Sequence, residues 1–145
     1  MIQICYASRA TSEQPQLLND LRNILSEARD FNILHGLTGV LYHADGYFFQ
    51  CLEGEVQNVE KLLAKLHLDS RHYQIKLFES RSILKASFSE WSMKFVGRNS
   101  PIQQYFQSLG YSHFHPYQLS QEDVYRLIDY LTAAKASETQ LSEMC

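Results

Sequence analysis

Three observations on the sequence predict an α+β fold. Apolar residues alternate with period two in several short runs and recur at helical spacing in others. The two kinds of run interleave along 145 residues. That length suits one domain with a core of its own.

Ile2–Ala7 alternates and reads as strand one, and Ser8–Gln14 reads as a polar loop. Pro15 suits the first turn of a helix. Leu17, Leu18, Leu21, Ile24, Leu25 and Ala28 then make one stripe, so helix one is predicted from about Pro15 to Asp30. Leu37–His43 reads as strand two, Ala44-Asp45-Gly46 as a hairpin turn, and Tyr47–Leu52 as strand three. Val56, Val59, Leu62, Leu63 and Leu66 mark helix two. Tyr73–Ser80 reads as strand four. Phe88–Val96, with Trp91, Met93 and Phe95 at period two, reads as strand five. Ser100-Pro101 reads as an N-cap with proline at the first helical position, opening a helix that stops at Gly110. Ser120 opens another, striped by Val124, Leu127, Ile128 and Leu131. The order βαββαββ predicts a ferredoxin-like sandwich: a five-stranded mixed sheet with two helices on one face, plus two C-terminal helices. Those last helices are too short to be a separate domain and are expected to cover the open sheet face or to form a partner surface. The predicted organisation is a unit over 1–96, a helical extension over 97–135 and a disordered tail over 136–145.

Composition narrows the function. Hydrophobic residues at 45% and charged residues at 20% are globular values. A net charge of -3 argues against direct nucleic-acid binding. No apolar run approaches the roughly 18 residues of a membrane span. The N-terminus lacks the basic and apolar regions of a signal peptide, so the cytoplasm is the expected location. Cys5, Cys51 and Cys145 form neither a zinc pattern nor a disulfide framework, and Cys5 and Cys51 read as small core residues. No metal site is expected.

A few polar residues fit a plain core poorly. Gln50 shares a strand face with Phe48 and Leu52, and a buried amide without a partner costs about 1–3 kcal/mol. Tyr6 shares a face with Ile2 and Ile4. Strands one and three are natural central neighbours, so Tyr6 and Gln50 can meet as phenol and amide. Asn32, just past the predicted end of helix one, reads by itself as a C-cap, and Arg29 as a helix-end cation. Asp69, Arg71 and His72 read as a wet loop. Taken together they describe a slot between two helices, floored by a sheet and rimmed by hydrogen-bonding groups, which is the usual make-up of a cofactor site.

These residues resemble the BLUF family, blue-light sensors that use flavin. The matching pieces are Tyr6-Ala7-Ser8, Asn32 with Gly36-Leu37-Thr38-Gly39-Val40-Leu41, Phe48-Phe49-Gln50-Cys51-Leu52-Glu53-Gly54, Asp69-x-Arg71-His72 and Trp91-Ser92-Met93. They run in order from residue 1 to about residue 96. The resemblance implies a flavin, FAD in the first place and FMN as the other choice, held without a covalent bond between helices one and two. It implies that Tyr6 donates an electron and a proton to the excited flavin and that Gln50 bridges Tyr6 to the flavin edge. It places Asn32 on the O4/N3 edge. Arg29, Asp69, Arg71 and His72 go near the polar edge and the ribityl and phosphate path, with Lys65 also at the site. Ile24, Leu41, Phe48 and Leu66 are implied to sandwich the ring, and Trp91 and Met93 to relay the signal. Ala28, Phe31 and Lys65 depart from residues common in the family, and bear on the C2 side of the ring.

The chemistry suits these residue types. A glutamine amide has one acceptor end and one donor end, so rotating it or shifting it to the imidic tautomer reverses what each neighbour meets. The resemblance implies a photosensor rather than an enzyme, too short after residue 96 for a cyclase or phosphodiesterase. It is expected to signal through strand five and the C-terminal helices to a partner protein, such as a transcriptional regulator, or through a homo-oligomer. The competing readings are a small phosphatase-like enzyme using Arg29 or Arg71 with Asn32, and a flavin-free interaction module.

Overall fold

The computed structural model describes residues 1–137. In chain order the elements are β1 (Ile2–Ala10), α1 (Gln16–His35), β2 (Thr38–Ala44), β3 (Tyr47–Gly54), α2 (Val56–His67), β4 (His72–Leu77), β5 (Arg81–Ser82), β6 (Lys94–Val96), α3 (Ser100–Ser108) and α4 (Gln121–Ala133), with a 3-10 turn at Pro116–Gln118. One mixed sheet runs β4-β1-β3-β2-β6, and β5 pairs with β1. All pairings are antiparallel except β2 with β6.

The strand period sorts the side chains into two cores. Leu41, Phe48, Leu52 and Phe95 pack with Leu21 and Leu25 of α1 and Val59 and Leu62 of α2. On the other face Val40, Tyr42, Phe49, Cys51 and Val96 pack with Ile102 and Phe106 of α3 and Val124, Leu127, Ile128 and Leu131 of α4. The sheet is thus covered on both sides. Asp45 and Gly46 both take positive φ, 54° and 82°, the geometry of a two-residue hairpin turn.

Several sequence expectations need correction. The predicted fifth strand over 88–96 is a strand only at Lys94–Val96, so Trp91 and Met93 precede the ladder, and the separate two-residue β5 makes the sheet six-stranded. The cause is Glu53, which is 1% exposed. Its carboxyl oxygens accept from Gln3 Nε2, Thr38 Oγ1, Ser87 N and Phe88 N at 2.7–3.0 Å, so the chain there winds around a buried acceptor instead of joining a ladder. Helix α1 runs five residues past Asp30, to a C-cap at Gly36 in the left-handed region, φ 68°. Asn32 therefore lies within the helix rather than capping it. Strand β1 continues through Ser8, Arg9 and Ala10, predicted as loop, because they still pair with β3 and β4. Strand β4 spans His72–Leu77 rather than 73–80. The α3 cap is Asn99, whose side chain accepts from Ile102 N, and not Ser100. Of the expected tail, residues 136 and 137 belong to the fold, since Ser137 N donates to Phe95 O at 2.8 Å. Residues 138–145 lie outside the described residues.

Candidate functional site

Between α1 and α2 opens a cleft of about 470 Å³, within the range of small-molecule sites. Ile24, Glu27, Ala28 and Phe31 line one wall at i, i+3, i+4 and i+7, one face of α1. Leu62, Lys65 and Leu66 of α2 line the other wall, and Gln50 of β3 reaches it from the sheet. Leu41 and Phe48 are 2% exposed and lie in the core on this face of the sheet.

Tyr6 and Gln50 are direct partners in the β1–β3 register. The Tyr6 hydroxyl donates to Gln50 Oε1. At the other end of the amide, Gln50 Nε2 donates to Met93 Sδ at 3.6 Å. Both residues are buried. Burial, and then the charge of Asp69, push the Tyr6 phenol well above its ordinary pKa, so it holds its proton at every physiological pH.

Arg29 and Asn32 hold the segment before β6. Arg29 Nε and Nη2 donate to Met93 O at 3.1 and 3.0 Å. Burial lowers the guanidinium pKa. Asn32 is fully buried, and its Nδ2 donates to Ser92 O at 2.6 Å. Its Oδ1 is buried with no hydrogen-bond partner among the described residues. Met93 is fully buried, whereas Trp91 is partly exposed and packs against the opposite core.

The mouth of the cleft is charged. Arg71 donates to Asp69 Oδ1 and Oδ2 at 2.8 and 2.6 Å and to Glu27 Oε2 at 2.5 Å, tying the α2–β4 loop to α1. Hydrogen bonding to Asp69 raises the Arg71 pKa despite partial burial, and Glu27 adds to it. For Asp69, burial pulls upward, but Arg71 and then His72 prevail and hold the carboxyl below its usual value. His72 lies behind this rim. Its Nδ1 pairs with Ser8 Oγ at 2.8 Å and its Nε2 with Leu66 O at 2.6 Å, so both nitrogens are engaged by protein. Lys65 Nζ stands 4.6 Å from the centroid of the Phe31 ring, which stacks on His35.

The structure therefore brings Ile24, Gln50, Lys65, Leu66, Asp69 and Arg71 to one cleft. Tyr6 adjoins it through Gln50, and Arg29, Asn32 and Met93 cluster at the segment before β6. Sequence reasoning missed Glu27, Leu62 and Leu68, which also line the cleft. The helical spacing of Glu27 from Ile24 and Phe31 was the available signal, but a glutamate on a helix normally reads as solvated. Phe31, read as the loss of a polar contact, supplies an aromatic wall.

The residues fit a flavin on one observation in particular. The orphaned Asn32 Oδ1 is an acceptor without a donor, and the flavin ring edge carries an N–H with carbonyls on either side. Apolar walls with convergent polar groups suit the remainder of a planar ring. Among the described residues no cluster of three or more His, Cys, Asp or Glu could hold a metal ion.

Comparisons with known proteins match most of this chain. A family model described as BLUF, sensors of blue-light using FAD, matches residues 1–94. The photoactivated adenylate cyclase subunit beta of Euglena gracilis is 31% identical over 91 residues, which is 62% of this chain and 10% of that protein. The chain thus spans about a tenth of that relative's length. Two solved structures of BlsA, in its ground and photo-activated states, are 47% identical, with TM-scores of 0.89 and 0.88. Each covers 93% of this chain, and the match takes in 89% and 96% of those chains. The dark-state structure of BlrB is 28% identical with a TM-score of 0.76, over 91% of this chain and 95% of that one.

Proposed function

The chain belongs to the BLUF family of flavin-based blue-light sensors, and from that premise we propose that Tyr6 and Gln50 are its photoactive pair and β6 its route of output. The observation that carries this is the continuous chain from Tyr6 Oη through the Gln50 amide to Met93 Sδ. When bound, the flavin supplies blue absorption and an excited state that accepts an electron and a proton.

The protein's own residues do the rest. Tyr6 holds a transferable proton on a phenol that is oxidisable and, being buried, does not ionise by itself. Loss of that proton removes the donor from Gln50 Oε1. The amide can then rotate or tautomerise, which presents a donor where an acceptor stood. Either change alters the contact with Met93. Met93 is flexible and polarisable, so it can leave its place cheaply, with Trp91 as the side chain that exchanges with it.

From Met93 the route is short. Lys94, the next residue, is 4% exposed, and its Nζ donates to Leu131 O at 3.0 Å and Thr132 O at 3.2 Å in the last turn of α4. Gly97 N donates to Ser137 Oγ, closing the same corner. Displacement of Met93 therefore pulls on the end of α4, the proposed output surface toward a partner protein, a regulator of transcription by our reading, or a second copy. Arg29, Asn32, Asp69, Arg71 and Lys65 position the flavin, which we take to be FAD. Among the described residues no helix is long and apolar enough to cross a membrane. A phosphatase reading is not favoured, because Arg71 is already engaged by two carboxylates.

The test is direct. The purified protein should carry a flavin released by denaturation and identified by mass, and its blue band should shift red under blue light and recover in darkness. Protein that stays colourless after reconstitution with FAD and with FMN contradicts the reading.

A further inference from the structure

On the back of the photoactive pair lie two free, buried thiols, Cys5 and Cys51. They are direct partners in the β1–β3 register, one step from Tyr6 and Gln50, and they face the α3–α4 side. Cys5 O accepts from Phe78 N at 2.9 Å, so the peptide groups of Cys5 point toward the β4 side of β1 and away from β3. In an antiparallel ladder this makes the Cys5–Cys51 pair the non-hydrogen-bonded kind, with Cα atoms about 4.5 Å apart and side chains at their closest. A disulfide spans Cα separations of about 4.4–6.8 Å. Neither thiol has a part in the photochemistry above.

We propose that Cys5 and Cys51 form a dithiol that hydrogen peroxide converts to a cross-strand disulfide, a covalent modification site directly behind Tyr6 and Gln50. One thiol gives up its proton, and its sulfur attacks a peroxide oxygen. The O–O bond breaks, a sulfenic acid forms, and the departing hydroxide leaves as water. The second sulfur then attacks the first. The S–S bond forms, the S–O bond breaks, and a second water leaves with the second proton. Two thiols lose two electrons and two protons, and peroxide is reduced to two waters. Peroxide is neutral and small, which suits a buried pair. Burial, and then the neighbouring Cys5 thiol, push the Cys51 thiol up, so the closed fold reacts slowly. Once formed, the bond fixes the β1–β3 spacing beside the hydrogen bond that light is proposed to rearrange.

Peptide mapping tests this on the whole protein as purified. After peroxide, the free thiols are alkylated in denaturant and the chain is cut with trypsin. The expected product joins residues 1–9 to residues 30–61 with the loss of two hydrogens. Two of the three thiols should escape alkylation and return after a reductant. Cys5→Ser and Cys51→Ala should each abolish the cross-link. Both thiols still open to alkylation, oxygen adducts without a cross-link, or a bridge to Cys145 would overturn the proposal. A second readout rests on the light-sensing reading, whereas the map does not. Dark recovery of the flavin band should change after peroxide in the wild type and stay unchanged in Cys5→Ser. An equal change in both would overturn the link to the photoactive pair.

Discussion

Gln50 is held at both ends, by a phenol that donates and a thioether that accepts. Tyr6→Phe leaves Gln50 Oε1 buried without its donor, and Gln50→Leu leaves the Tyr6 hydroxyl without its acceptor. Each is expected to destabilise by about 1–3 kcal/mol. The double variant removes both partners together and should lose less than the sum. Urea unfolding of the four proteins measures the coupling, and strict additivity would mean that the pair does not interact. His43 carries a different residue-scale prediction. Burial first, then Asp45 upward and Arg98 downward, bring its pKa down to about 4. The unfolded chain therefore binds the proton more readily, and stability falls as pH drops from about 6.5 to about 4. At about 1.4 kcal/mol per unit the loss is on the order of 3 kcal/mol. His115, lowered by burial and then by His113 and Arg9, slopes the same way. His43→Phe should flatten most of that slope in pH-dependent unfolding, and an unchanged slope would assign it elsewhere.

At the scale of elements, β6 is the proposed joint between cleft and output. Lys94→Met keeps the length of the side chain and removes the donors to Leu131 O and Thr132 O. The variant should keep the light-induced spectral shift and lose the light-minus-dark change in amide exchange over Gln121–Ala133 that is expected of the wild type. A wild-type change retained in full would exclude Lys94 as the coupling. The sequence disclosed the main elements because alternation and helical stripes are local signals. It disclosed the Tyr6–Gln50 meeting because strand order follows from connection rules. The strand proposed over 88–96 failed for a reason that no window can show: the donors that shape it converge on Glu53, 34 and 35 residues away. The end of α1 was misplaced because Asn32 is a good cap by composition, while Gly36 takes the left-handed turn. Glu27 stayed hidden because its partner Arg71 is 44 residues away.

Across the whole molecule the sheet works as a partition. One face, with α1 and α2, holds the cleft, and the other, with α3 and α4, holds a second core. Alternate residues of the same strands serve both, so Gln50 faces the cleft while Cys51 faces the second core. The proposed switching is a local rearrangement passed across the partition rather than a refolding. Light-minus-dark amide exchange over residues 88–135 should therefore change against a constant background in α1. No difference in that segment would break the proposed route.

The Gln50 amide is the proposed switch. Its most direct measurement is the light-minus-dark absorption spectrum of Gln50→Leu beside the wild type, each with its flavin bound. A reversible red shift of the blue band is expected in the wild type and none in Gln50→Leu, with flavin content unchanged. A normal, reversible red shift in Gln50→Leu would contradict it.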